Sequence, residues 1–171
     1  MSSYRWGPIF WAFFHIITLN YPDNPTEEDM NFAKDLIKSI YYILPCKMCS
    51  DHYLENMKTN PLKTDDISSK NKFIAWFVNL HNVVNKITGK SILPYNDAIK
   101  KINMLKSYKY TDMFYRVLGY IDVNRINEKE KRNVIRFIKC GLYFGKMDKK
   151  NINLDFKNDA TYKSLIKRLI G

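Results

Sequence analysis

The sequence predicts an all-α protein, and three observations carry that expectation. Apolar residues recur at i, i+3, i+4 and i+7 along most of the 171 residues. Gly and Pro number only 6 each, few for the turns of a β-sandwich. No strand, Gly-rich turn and helix follow one another, so neither a dinucleotide fold nor a P-loop is supported.

Each element has its own reason. In residues 8–20, Phe10, Phe13, Phe14 and Ile17 form one apolar face, and Pro8 suits a first helical turn. Pro22 and Pro25 mark a loop. Thr26 and Asp29 have the spacing of a capping box, which opens a helix through 44 with Phe32, Leu36, Ile40 and Ile43 inward. Pro45 ends it, and Cys46 starts a third helix to about 57. Residues 60–70 read as a polar loop. Ser69 caps a fourth helix to 88, with Phe73, Phe77, Leu80 and Val84 as its stripe and Gly89 as its stop. A turn at Leu93-Pro94-Tyr95 precedes a fifth helix over about 97–106. Further helices are expected over 112–121, 128–144 and 160–170, with a loop over 146–158. Cys140 borders the Val134, Phe137, Ile138 and Leu142 stripe, where a small apolar residue packs well.

Composition narrows the function classes. Hydrophobic residues are 46% and charged residues 26%, which excludes wholesale disorder. Three Cys are too few for a disulfide-stapled scaffold. The most apolar run, residues 9–19, is far short of the ~20 needed to cross a bilayer, and no small-residue cleavage site comes after it. No membrane span is therefore expected. The net charge of +11 is uneven: residues 1–99 hold 10 basic and 10 acidic side chains, residues 100–171 hold 18 and 7. Such a step argues for two regions with different tasks.

Three motifs carry chemistry. Cys46-Lys47-Met48-Cys49 sits at a helix start, where the dipole and free N–H groups favour a thiolate. It reads as a redox dithiol, as part of a zinc site with His52 and His81, or as two unrelated core cysteines. His81, Asn82 and Asn85 interrupt an apolar helix on one side, with Lys90 beyond; they form either a solvated helix end or a polar edge for a flat ligand. Trp11 and His15 share a face at i and i+4, which suits core packing or a ring stack. His52 and Trp76 add the same composition from two other helices.

In that order and spacing, Trp6-Gly7-x-x-x-Trp11-x-x-x-His15, Cys46-x-x-Cys49-x-x-His52 and Trp76-x-x-x-x-His81-Asn82-x-x-Asn85-x-x-x-x-Lys90 resemble the Erv/ALR family of FAD-dependent sulfhydryl oxidases. The compact form and the Asn, Lys and Ile usage are similar to members carried by large DNA viruses of eukaryotes. The resemblance covers residues 4–105, which implies one domain over 1–105 and a separate basic helical region over 106–171. It implies a four-helix bundle with a short fifth helix holding FAD, a homodimer, and oxidation of protein dithiols with molecular oxygen as acceptor, giving hydrogen peroxide. Cys46 and Cys49 would be the redox pair, with Cys49 beside the flavin and no metal. Gly7, Trp11, His15, His52, Trp76, His81, Asn82, Asn85, Lys90 and Tyr95 would hold FAD. The implied compartment is host cytoplasm or virion, with the mitochondrial intermembrane space as the alternative. The second, shuttle Cys-x-x-Cys of many cellular members is not found in these 171 residues. The competing readings are a zinc-binding interaction module built on Cys46, Cys49 and His residues, and contact of the basic region with nucleic acid or an acidic partner.

Overall fold

The first helix sets the frame, because its side chains are apolar almost all round. In the computed structural model, which describes residues 3–122 and 127–148, α1 spans Ser3–Asn20, α2 Glu27–Ile43, α3 Lys47–Thr59, α4 Lys70–Ile87, α5 Tyr95–Met104, α6 Tyr110–Tyr120 and α7 Glu128–Phe144. Among the described residues there is no strand. The helix expected over 160–170, and most of the loop over 146–158, lie outside the described residues.

Local chemistry fixes the boundaries. Thr26 and Asp29 form the expected capping box: the Thr26 side chain accepts from the Asp29 N–H, and the Asp29 carboxylate accepts from the Thr26 N–H at 2.8 Å. Asn127 and Glu130 build a second such box at the start of α7. Ser69 caps α4, and Gly89, at φ 69°, takes the left-handed turn that other residues avoid.

Three expectations are corrected. Helix α1 begins at Ser3 rather than Pro8, so Pro8 lies inside it; the added turn is anchored by Trp6, which is buried with its ring 5.3 Å from that of Phe10. The polar loop over 60–70 contains a 3-10 turn, Asp65–Ile67, whose Ile67 is fully buried and whose carbonyl accepts from Tyr21 Oη at 2.8 Å. The fifth helix starts two residues early, at Tyr95, and ends at Met104 in a second 3-10 turn, Leu105–Ser107.

Helices α1 to α4 form a bundle in which α1 packs on α4 and α2 on α3, with α5 across α1 and α4. Helix α6 lies on α1 and α7 on α2. One hydrophobic core runs through both sets, from Phe73 and Phe77 through Phe13 to Phe114, Phe137 and Phe144. Phe13 is its hub, with ring centroids 5.4 Å from Tyr110, 5.6 Å from Phe114 and 6.1 Å from Phe137. Cys140 is fully buried there, its Sγ donating to the Phe32 carbonyl at 3.4 Å, and burial pushes its thiol up to about 12. Burial and a raised pKa keep it protonated, the state of a small packing residue.

Helices α6 and α7 meet closely at Gly141. A Cβ there would lie 2.7 Å from Phe114 Cζ, and that ring is fully buried and cannot retreat. Gly141→Ala should therefore destabilise the protein by about 1–3 kcal/mol, read as a lowered urea midpoint. Phe114→Leu in the same chain should recover part of the loss; an unchanged midpoint in Gly141→Ala would show that the two helices do not meet there.

Candidate active site

Helices α1 to α5 each turn one face toward a single cavity of about 500 Å³. Helix α1 contributes Gly7, Trp11 and His15; α3 contributes Cys49 and His52; α4 contributes His81, Asn82 and Asn85, with Lys90 just beyond it. Two expected residues stand elsewhere. Trp76 is buried in the core, its ring edge-on to Phe77, and Tyr95 is largely exposed at the start of α5.

Sequence reasoning named Cys49 and His52 but missed the rest of two stretches of wall. On α3, Tyr53 and Asn56 continue their face at i+4 and i+7, and Ala98, Lys101 and Ile102 of α5, with Leu105 just past its end, repeat that spacing. Both faces were readable as helical stripes. Their mixed polarity hides them from a search for apolar periodicity.

The aromatic wall is ordered by an imidazole pair. The His81 ring stacks on Trp11 at 3.9 Å with planes 3° apart. His15 Nε2 and His81 Nδ1 are 3.1 Å apart, so one neutral ring donates to the other. Burial, with His81 close by, lowers His15 to about 3. Burial, with Lys90 close by, lowers His81 to about 4. Both rings are neutral at pH 7. His15 Nδ1 and Trp6 Nε1 are buried and have no hydrogen-bond partner among the described residues, as is also true of Trp76 Nε1 and Asn60 Nδ2 on residues outside the lining. Such orphaned atoms on cavity-lining residues ask for a polar ligand. The Asn82 side chain is already engaged: its amide donates to the Leu93 carbonyl at 2.9 Å and its oxygen accepts from the Leu93 N–H at 3.0 Å. It holds the stretch of chain that leads into α5, and so fixes the α5 wall.

At the edge of this cavity lies a disulfide. Cys46 and Cys49 are joined, with Cα atoms 5.1 Å apart. Cys46 is the N-cap of α3, its Sγ accepting from the Cys49 N–H at 3.3 Å. Both cysteines are half-buried. Cys49 lines the cavity, while Cys46 stands outside its wall. Among the described residues no three His, Cys, Asp or Glu side chains converge as a metal site, so the zinc alternative has no ligand set there.

Residues 8–105 match the Erv1 / Alr family. The chain belongs to the Erv1 / Alr family. Among its curated relatives is a probable FAD-linked sulfhydryl oxidase of Acanthamoeba polyphaga mimivirus, 40% identical over 102 residues that span 60% of this chain and 71% of that protein. A putative FAD-linked sulfhydryl oxidase of Invertebrate iridescent virus 6 is 40% identical over 105 residues, 59% of this chain and 95% of the viral protein. The FAD-linked sulfhydryl oxidase of Oryza sativa subsp. japonica is 36% identical over 88 residues, 52% and 44% of the two chains. This Erv1 / Alr chain thus runs on beyond the matched segment, through α6 and α7 to residue 171.

The neutral imidazoles set a pH dependence. Their folded values lie below the unfolded 6.5, so their contribution to stability is complete above about pH 6.5 and is lost as pH falls toward 4 and 3. In that window the unfolded chain binds more protons than the folded one. Unfolding free energy should fall between pH 6.5 and 4, with up to two protons taken up from these rings. His15→Gln should lower that uptake by up to one. An unchanged pH slope in His15→Gln would mean that this ring is charged in the fold.

Proposed function

We propose that the chain is an FAD-linked sulfhydryl oxidase that forms disulfides in protein dithiols and passes the electrons to molecular oxygen, giving hydrogen peroxide. The observation that carries the reading is the Cys46–Cys49 disulfide at a helix N-terminus, with Cys49 in the wall of an aromatic cavity.

The residues fit a flavin dinucleotide. A flat ring system finds the Trp11 and His81 stack, the orphaned His15 Nδ1 and Trp6 Nε1 offer hydrogen bonds, and Lys90 and Lys101 supply positive charge for phosphates. Gly7, Trp11, His15, His52, His81 and Asn85 would line the bound cofactor, with Asn82 acting through Leu93. When bound, FAD supplies the two-electron acceptor that returns the cysteine pair to its disulfide and hands electrons to oxygen.

The chain's own residues do the thiol chemistry. A substrate thiolate attacks Cys46 Sγ, the sulfur outside the cavity wall. The Cys46–Cys49 bond breaks and Cys49 leaves as a thiolate; the N–H donor of the α3 N-terminus faces Cys46 Sγ and favours that sulfur as the second leaving thiolate. The second substrate thiolate then attacks the substrate sulfur of the mixed disulfide, and Cys46 leaves. The substrate gains a disulfide and the pair gains two electrons. Both cysteines are half-buried, so the pair is neither sealed from a substrate nor fully in bulk water.

In this reading residues 1–105 carry the oxidase site and 106–171 form a basic accessory region, whose described helices are welded to the bundle by the shared core. The family resemblance further supports a homodimer, and the charge step supports an acidic partner or nucleic acid at the accessory region. The viral relatives favour host cytoplasm or virion. Among the described residues no helix is long and apolar enough to cross a membrane.

Cys46→Ser and Cys49→Ser should each abolish dithiol turnover while the protein stays yellow; near-normal oxygen consumption in either would defeat this electron path. His81→Ala should lose flavin and melt at lower temperature. A ligand at a thousandfold excess over its Kd stabilises by about 4 kcal/mol, so the two losses should come together. Full flavin retention with a lowered Tm would make His81 a packing residue only.

A further inference from the structure

The start of α7 completes a groove that the thiol chemistry above does not use. Tyr41 and Tyr42 at the end of α2, Leu54 on α3 and the Lys38 and Lys129 side chains bound about 440 Å³. Two contacts tie it to the disulfide. Lys47, bonded to Cys46, donates from Nζ to Tyr41 Oη at 3.0 Å, with the ammonium 5.4 Å from that ring's centroid. Lys47, Asp51 and Leu54 share one face of α3. Leu54 lies eight residues past Cys46, about 12 Å along the helix at ~1.5 Å per residue. An extended peptide spans that distance in about four residues at ~3.3 Å each.

The lining carries two lysines against one carboxylate, a positive balance. Neither Lys38 nor Lys129 pairs with a carboxylate among the described residues. Glu130, the acidic side chain of the lining, is engaged in the α7 cap, accepting from the Asn127 N–H at 3.0 Å. Leu54 is 44% exposed and gives the same lining an aliphatic surface. Other occupants fit poorly. Residues 149–171 carry six basic and two acidic side chains, and a second copy would bring the same lysines.

We propose that this groove docks the flank of a protein substrate: an extended segment with an apolar residue beside an acidic one, about four residues from the cysteine that attacks Cys46. The proposal rests on the oxidase reading and gives it a substrate class. It also gives α7 a task, since α7 forms one wall of the groove. Docking there raises the local concentration of the attacking thiolate at Cys46 and leaves the sulfur exchange itself unchanged.

The experiment uses the full flavin-loaded chain and three substrates. These are dithiothreitol, a two-cysteine peptide with Leu-Asp four residues from its first cysteine, and the same peptide with Ser-Lys there. The wild type should prefer the Leu-Asp peptide by about tenfold in kcat/KM. Leu54→Asp and the double variant Lys38→Glu/Lys129→Glu should each remove that preference through KM, with kcat and the dithiothreitol rate unchanged. All three side chains are exposed, so unchanged Tm and visible absorbance should accompany the loss. Equal use of the two peptides, or an unchanged KM in both variants, would overturn the proposal. So would competition by a synthetic peptide of residues 149–171, which would give the groove to the chain's own terminus. A halved mass in Leu54→Asp would give it to a second copy. A wild type that holds flavin yet oxidises no dithiothreitol would remove the oxidase reading itself, and docking with it.

Discussion

Helix α1 has to satisfy two environments at once, and the rest of the molecule is arranged around that constraint. One side places Phe13 among Tyr110, Phe114 and Phe137; another places Trp11 flat against His81 and His15 beside it. A helix cannot rotate to improve one contact without spoiling the other. The cluster with α6 and α7 therefore acts at a distance on the cavity, by fixing the angle at which Trp11 and His15 are presented. Phe10 and Phe14 lie between these two sides and close the interior, 6.0 Å apart edge-to-face.

The same constraint explains the polar chemistry of the wall. Two imidazoles 3.1 Å apart in a buried setting cannot both be charged, and desolvation keeps both neutral. A neutral pair offers one internal hydrogen bond and leaves ring nitrogens over. His15 Nδ1 is the buried one. The disulfide at the α3 N-terminus stands where charge is favoured instead. Uncharged walls and a charge-tolerant sulfur therefore sit side by side, each set by its own element.

Much of this was legible in the sequence, for physical reasons that differ by residue. Caps are local, so Thr26, Ser69 and Gly89 could be read at once. The apolar stripe from Val134 onward marks α7, whose start is set by the local Asn127–Glu130 cap and whose end is at Gly145. Where tertiary packing decides, the pattern was silent. Pro8 looked like a helix start, because the burial of Trp6 against Phe10 is invisible to a first-turn rule. Trp76 has the composition of a ring-binding residue but sits just before the first α4 residue of the cavity wall, packed on Phe77. Tyr95 opens α5, whose inward face is carried by Ala98, Lys101 and Ile102. The step in charge at residue 99 marks a change of surface. It does not mark a break in the core, which passes through it.

That continuity governs when the chain can fold. Asn20 at the end of α1 donates to the carbonyl of Phe144, the last residue of α7, at 3.2 Å. The first helix made is thus sealed by the last one described. At a synthesis rate of about 5–20 residues per second, the apolar side of α1 waits roughly 6–25 s for its cover. During synthesis it is an exposed, aromatic-rich helix, the kind of surface that holding chaperones bind and that aggregates when they are scarce. In this chain α6 and α7 therefore make maturation depend on events at the ribosome.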